Sequence, residues 1–466
     1  MNFKLFITFS LVIMLGLSAI AQEEKEIPSA FSLAEAKAYA VENSYQALNA
    51  VRDVEKAKMR VRETTAIGLP QLSASGSFQN FIDIPTQVLP DFVSPAVTGV
   101  LIENGILPPS AGGGETEFIE AQFGTEYNIS GGVTLSQLIF DGSYIVGLQA
   151  AKTYVELSKN AAEKTSQEIK ASITNSYGMV LIAEENQKIL EQNLKNLEKT
   201  FSETKALADN GFAEQQDVDQ INLLIGNMRN SINSTKKQVE VAYNMLKFNM
   251  GIPIAHEISL KDDLNALVGV SNDESVLTNE FNLENHIDYK IALTDVSSKE
   301  LLLRNNQAGY LPRLSAFVSF NQNYLSNDLT LDNQFWFPNN LWGVNLKVPI
   351  FSSFMRRNKV QQSRVDLEQS LTQKGMTQQS LILQAQNARA AYTNALNKYN
   401  LERENLKLAQ RIKNNTEVKF KEGLASSLEL TQAQNQELST QGSFISSMFE
   451  LINAKAELDK AYGNIQ

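Results

Sequence analysis

The chain is written twice. The decapeptide Leu69-Pro70-Gln71-Leu72-Ser73-Ala74-Ser75-Gly76-Ser77-Phe78 returns 242 positions later as Leu311-Pro312-Arg313-Leu314-Ser315-Ala316-Phe317-Val318-Ser319-Phe320, with seven of ten residues identical. Other pairs follow in the same order: Gly132-Val133-x-Leu135 with Gly343-Val344-x-Leu346, Ile139-Phe140 with Ile350-Phe351, Gly211-Phe212-Ala213 with Gly423-Leu424-Ala425, and Leu246 through Gly251 with Leu458 through Gly463. The offset falls from 242 to about 211, so the first half carries roughly 31 extra residues between its first two matched segments. A period this long excludes a solenoid array and points to one duplication. The sequence therefore divides into a first repeat, 22–253, a linker, 254–284, and a second repeat, 285–466.

What precedes the first repeat reads as an export signal. Lys4 and the amino terminus give a positive start, Leu5 to Leu17 an apolar run, and Ser18-Ala19-Ile20-Ala21 a small-residue cleavage site, so the mature chain is expected to begin at Gln22. The apolar run falls short of the roughly 20 residues that a bilayer-spanning helix needs. Cysteine is absent, which excludes disulfides and thiolate metal sites. Against 52 acidic residues stand 41 basic ones, a balance that argues against nucleic acid as a partner.

The 11 prolines lie in three zones, Pro28 to Pro109, Pro253, and Pro312 to Pro349, and leave 110–252 and 350–466 free of helix breakers. Within the free stretches, Ser143 to Asp209 and Ser353 to Glu422 are rich in Ala, Leu, Glu, Lys and Gln. At about 1.5 Å per residue each would make a helix near 100 Å long, deeper than the core of an ordinary domain. Gly211 and Gly423 end these runs, and second helices are expected over Glu214 to Met250 and Ser426 to Tyr462. Each half thus reads as a long helical hairpin. In the first return helix Val218, Ile221, Ile225, Met228, Ile232, Val239, Ala242 and Leu246 step by three and four with a gap at Thr235, a coiled-coil seam matched by Leu190, Leu194, Leu197 and Phe201. The second return helix is more polar, with Glu437 and Thr440 at seam positions.

Elsewhere the period is two. Leu72, Ala74, Gly76 and Phe78 alternate with serines, and Trp342, Val344, Leu346 and Val348 alternate with Gly343, Asn345 and Lys347; Tyr127 to Ile139 and Leu314 to Tyr324 behave alike. This gives four strands of about the length that a tilted membrane strand needs. Four strands cannot close a barrel, and a bilayer does not tolerate open sheet edges, so a barrel would be shared between subunits. Two copies would give 8 strands and three would give 12, and arithmetic alone does not choose.

The export signal, the doubled order of strands and long hairpins, and the Leu-Pro-x-Leu turns at Leu69 and Leu311 together resemble the outer-membrane efflux protein family of TolC-like factors. So do Leu33 to Asn43 opening the first helix, the Gly-to-acidic spacing at Gly211–Asp217 and Gly423–Glu429, and the Leu-x-x-x-x-Gly endings at Leu246 and Leu458. The likeness extends over 31–466. It implies a membrane α+β fold: a homotrimeric 12-stranded outer-membrane β-barrel continuous with a long periplasmic α-helical barrel, two structural repeats per chain. It further implies a passive exit duct of a tripartite efflux pump or a type I secretion system, joined to an inner-membrane pump through a periplasmic adaptor (membrane fusion) protein, with outer-membrane lipid around the barrel and no cofactor.

By position, the resemblance places Glu429 at a ring of acidic side chains that closes the periplasmic aperture, Asp217 at the corresponding first-half site, and Gln432 where a second acidic residue often stands. Ala425 occupies a place where an arginine latch can occur. Three copies of Glu429 around a threefold axis would favour cations and be plugged by multivalent ones. The alternative reading makes Glu429 and Asp217 early-turn carboxylates that favour a helix N-terminus. Phe212 and Leu424, apolar residues in the hairpin turns, are candidates for adaptor docking or for local hairpin packing.

The segment 81–126, with five prolines, seven acidic residues and neither Lys nor Arg, is expected to be an outward-facing loop. Both histidines, His256 and His286, fall in or near the linker and are expected at the surface. No phosphate-cradling loop or nucleophile elbow is present, so catalysis is not expected. A periplasmic coiled-coil structural or adaptor protein, and an uptake porin, are the alternatives; the first would lack the alternating strands and the second would not need the long hairpins.

Overall fold

The computed structural model describes residues 27–91, 93–112, 118–271, 280–330 and 336–463; the expected export signal, 1–21, lies outside them. The chain forms two compact units, each drawing segments from both halves of the sequence. One comprises 52–160 and 289–377, the other 1–51, 161–288 and 378–466.

The first of these units carries a four-stranded antiparallel sheet built from β2 (Gln71–Asn80), β5 (Tyr127–Asp141), β7 (Arg313–Ser326) and β8 (Trp336–Lys347) in the order β2-β5-β7-β8. The register sets Ala74 against Val133 and Val133 against Phe320, and Ser77 against Ser130. Period-two alternation then sorts the faces. Leu72, Phe78, Val133, Leu135, Phe320, Trp342, Val344 and Leu346 share one face, and all are exposed. On the other, hydroxyl pairs cross the strands: Ser77 Oγ lies 2.8 Å from Ser130 Oγ, and Thr134 Oγ1 2.9 Å from Ser319 Oγ. Every residue of β2 is exposed, so neither face of this edge strand has a core beneath it.

The segment expected as a loop is partly ordered into secondary structure. It holds an antiparallel pair of β3 (Thr86–Pro90) and β4 (Phe118–Gln122), and an 11-residue helix, α3 (Val93–Glu103), with no buried side chain. The acidic and proline content concealed short runs of Val, Leu and Ile, and Asp91 supplies a helix start by accepting from the Val93 and Ser94 amides at 2.9 and 2.8 Å.

The other unit is helical. Its elements are β1 (Ala30–Phe31), α1 (Leu33–Asn43), the first residues of α2 (Tyr45–Ile67), segment 161–209 of α4 (Gly142–Asp209), α5 (Gln215–Met250), β6 (Ser259–Leu260), α6 (Leu264–Ser271), the start of α7 (Ile287–Ala308), segment 378–421 of α8 (Met355–Lys421), and α9 (Ser427–Ala461). The long helices and their returns fall within two residues of the expected bounds. Ser32 caps α1 reciprocally with Glu35. The main core gathers Phe31, Ile173, Tyr177, Leu246, Leu267, Tyr392, Leu451 and Leu458, all buried. Within it the Tyr177 hydroxyl donates to the Asp262 carboxylate at 2.9 Å and lies 3.0 Å from the Phe31 carbonyl, and burial together with Asp262 pushes its pKa well above the ordinary tyrosine range. The linker joins this core: β6 pairs in parallel with β1, and Leu264, Leu267 and Val268 of α6 are buried.

His286 corrects the expectation of a surface histidine. It is buried beside the Phe281 ring; its Nδ1 accepts from the Asp288 amide at 3.2 Å, and burial holds the imidazole below the ordinary histidine range despite the nearby Asp288 carboxylate. The cause is tertiary, since Tyr462 at the end of α9, whose ring contacts Phe281, closes the same corner.

Candidate functional site at the hairpin tips

Both hairpins turn in the same way. At the first tip Gly211 adopts φ +80°, its amide bonds the Ala208 carbonyl at 2.9 Å, and the Phe212 amide reaches back to Leu207 at 2.8 Å. At the second, Gly423 adopts φ +71°, bonds Phe420 at 3.0 Å, and the Leu424 amide bonds Lys419 at 2.8 Å. These are paired Schellman ends, which need a residue at ease in the left-handed region. The turn aims the next side chain outward: Phe212 is 81% and Leu424 77% exposed. Local packing hides little of either.

Three residues further on each chain enters its return helix through a reciprocal cap. The Glu429 carboxylate accepts from the Ser426 amide at 3.0 Å while Ser426 Oγ accepts from the Glu429 amide at 3.2 Å. Asp217 accepts from the Glu214 amide at 3.3 Å and completes a similar box at α5. Both carboxylates thus serve as helix caps, and among the described residues neither has a cationic partner. Gln432 lies one turn after Glu429 and is exposed. The site residues share one end of the helical unit, since Ser427 Oγ lies 3.2 Å from Gln220 Oε1 between the starts of α9 and α5.

Behind the tips the hairpins are joined by groups that no local pattern announces. Lys421 bridges Glu417 at 3.1 Å and Glu203 of the other hairpin at 3.6 Å; the hydrogen bond that it donates to Glu417 leads in pushing its ammonium above the ordinary lysine range. Deeper in, Lys413 lies 3.8 Å from Glu437, with side chains only 12% and 13% exposed, which accounts for the polar seam position. Thr440 is also buried and donates back to the Gln436 carbonyl at 2.8 Å. The apolar seam is as expected: Leu190, Leu197, Ile221, Ile225, Met228 and Ile232 form one buried cluster, with Leu194, Phe201, Leu224 and Leu438 packed on it. Glycine ends and acidic caps were readable from spacing; Lys421–Glu203 and Lys413–Glu437 join residues too far apart in sequence to be read.

Among the described residues no group of His, Asp and Glu could hold a metal ion, and no helix is long and apolar enough to cross a membrane. The arrangement offers capping, charge and exposed apolar side chains.

No curated protein sequence matches the chain. Solved structures share its fold. The Campylobacter jejuni CmeC outer membrane channel is 16% identical, over 96% of this chain and 90% of its own, at a TM-score of 0.66. The Neisseria gonorrhoeae MtrE outer membrane channel is 16% identical over 93% and 89%, at 0.67. The outer membrane protein VceC of Vibrio cholerae is 13% identical over 92% and 96%, at 0.65. A sequence profile of the family described as outer membrane efflux protein matches residues 110–251 and 283–464, well over half of the chain. On that match, and with a TolC-like fold beneath it, the chain belongs to the outer membrane efflux protein family.

Proposed function

We propose that three copies of the chain assemble into a passive exit duct of the outer membrane, with the four-stranded sheets closing as a 12-stranded barrel and the hairpins of both repeats, 22–253 and 285–466, forming a helical tube into the periplasm. The observation that carries this reading is the sheet: one face carries the exposed apolar side chains of Leu72, Phe78, Val133, Leu135, Phe320, Trp342, Val344 and Leu346, the other the cross-strand hydroxyls of Ser77, Ser130, Thr134 and Ser319, and among the described strands β2 and β8 are its unpaired edges. Such a sheet is stable only when its apolar side meets lipid and its edges are paired. Its apolar residues from Leu72 to Phe78 span about 20 Å at ~3.3 Å per residue, close to the lipid-facing band of an outer-membrane barrel. An 8-stranded closure would require side chains to fill the interior, and a face of Ser, Thr and Asn suits a wet lumen better.

In this reading the duct serves a tripartite efflux pump or a type I secretion system, with a periplasmic adaptor meeting Phe212 and Leu424 and an inner-membrane pump supplying energy. The threefold set of Glu429, with Asp217 and Gln432 nearby, forms the periplasmic aperture, and cap and gate are two uses of one carboxylate. Single-channel conductance in a planar bilayer tests it, comparing wild type with Glu429→Gln, since Gln also completes a capping box and so removes charge without removing the cap. Cation-favouring steps blocked by multivalent cations, with the block relieved by the substitution, are expected. Steps indifferent to the substitution would remove the gate from Glu429, and no channel from folded protein would refute the duct.

A further inference from the structure

We propose that the junction between β8 and α8 is a docking surface for the anionic phospholipid headgroups of the membrane around the sheet. The inference rests on the proposed insertion of that sheet.

The two strand-to-helix junctions correspond in sequence, and they differ. In the first half Ile139-Phe140 is followed by Asp141, whose Oδ1 accepts from the Ser143 and Tyr144 amides at 2.8 and 3.2 Å. In the second, Ile350-Phe351 is followed by Ser352 and Ser353, then Phe354, Met355, Arg356 and Arg357. Ile350 is 94% exposed, and Phe351, Phe354 and Met355 are exposed too. Val348 and Ile350 continue the parity of Trp342, Val344 and Leu346, so this apolar surface prolongs the apolar face of the sheet. Ser353 and Phe354 hold φ of 48° and 63°, a region where side chains other than glycine are strained, and neither is relieved by burial.

Charge completes the surface. From 348 to 365 the chain has no Asp or Glu, in a protein of net charge −11, and among the described residues Arg356 and Arg357 have no acidic partner. They stand in the first turn of α8, where positive charge works against the helix, so their gain lies outside it. The segment 81–126, between β2 and β5 and thus at the opposite end of the sheet, has seven acidic residues and neither Lys nor Arg. Apolar side chains that enter the boundary of a bilayer beside the Arg356 and Arg357 guanidinium groups match a lipid phosphate surface.

The test uses full-length protein reconstituted into mixed phosphatidylcholine–phosphatidylglycerol vesicles. The lipids that remain bound on gentle re-extraction are measured by mass spectrometry. Wild type should retain phosphatidylglycerol at about fivefold or more above its share in the vesicle, the weight of one arginine at an anionic surface. Arg356→Gln with Arg357→Gln should return the ratio to that of the vesicle, and the double lysine variant should keep most of the enrichment. Quenching of the native tryptophans by brominated phosphatidylcholine is read on the same samples. Quenching without enrichment, or enrichment that survives the glutamine pair, overturns the docking surface and leaves the inserted sheet standing. No quenching removes the inserted sheet, and the docking surface with it.

Discussion

Gly251→Ala, set beside Gly211→Ala, isolates what tertiary crowding adds to a left-handed turn. Both glycines end a helix at nearly the same φ, +77° and +80°. A side chain in that region costs about 1–2 kcal/mol, part of which the reduced freedom of the unfolded chain returns, so Gly211→Ala, with nothing within 4 Å, should cost about 1 kcal/mol. At Gly251 the new Cβ would lie 2.5 Å from the Asn43 carbonyl oxygen and 2.9 Å from the Ser44 Cα. Those are backbone atoms at the α1–α2 break and cannot swing aside, so repacking adds about 1–3 kcal/mol. At about 2 °C per kcal/mol for a unit of this size, the unfolding midpoint should fall by ~4–8 °C for Gly251→Ala and ~2 °C for Gly211→Ala. Circular dichroism of the detergent-solubilised proteins reads both. Equal shifts would refute the claim that α1 is pressed against the end of α5.

Three further outcomes follow from particular contacts. Val133→Arg, on the apolar face of β5, should cost about 2–4 kcal/mol and deplete the proposed trimer in size-exclusion chromatography of detergent extracts, whereas Thr134→Arg, one residue along on the polar face, should leave it largely intact. His286 is held below its reference value of 6.5, so its neutral form belongs to the folded state; stability should fall as pH drops through the unfolded value toward the lower folded one, and His286→Gln should flatten that slope in midpoints taken from pH 7 to 5. Lys413→Met strands Glu437 and should cost about 3 kcal/mol in chemical denaturation, whereas Lys413→Met with Glu437→Leu should recover most of it.

The long helices were legible because proline is absent across them and glycine punctuates them at Gly211 and Gly423. The strands were legible because one face is apolar and one polar, and the α5 seam because its apolar steps of three and four are nearly unbroken. The segment 81–126 misled because proline and acid content were weighed over its short apolar runs, which form β3, α3 and β4. At the tips, spacing found Glu429 and Asp217 without deciding their role: a carboxylate three residues into a helix is a cap by local geometry, and a ring only when other copies bring it near an axis. The buried Lys413–Glu437 pair and the burial of His286 depend on which helices pack together, and a single sequence does not state that.

The most direct test of the shared barrel uses the absence of cysteine. One cysteine at Ser75 on β2 is combined in turn with one at each position of β8, and each purified double variant is oxidised in detergent. The account predicts that, at matched positions, linkage runs through dimer to a trimer and stops there, because three sheets close edge to edge. Linkage that ends at a dimer, or a ladder that runs past three, or no linkage at any position from folded protein, would contradict it.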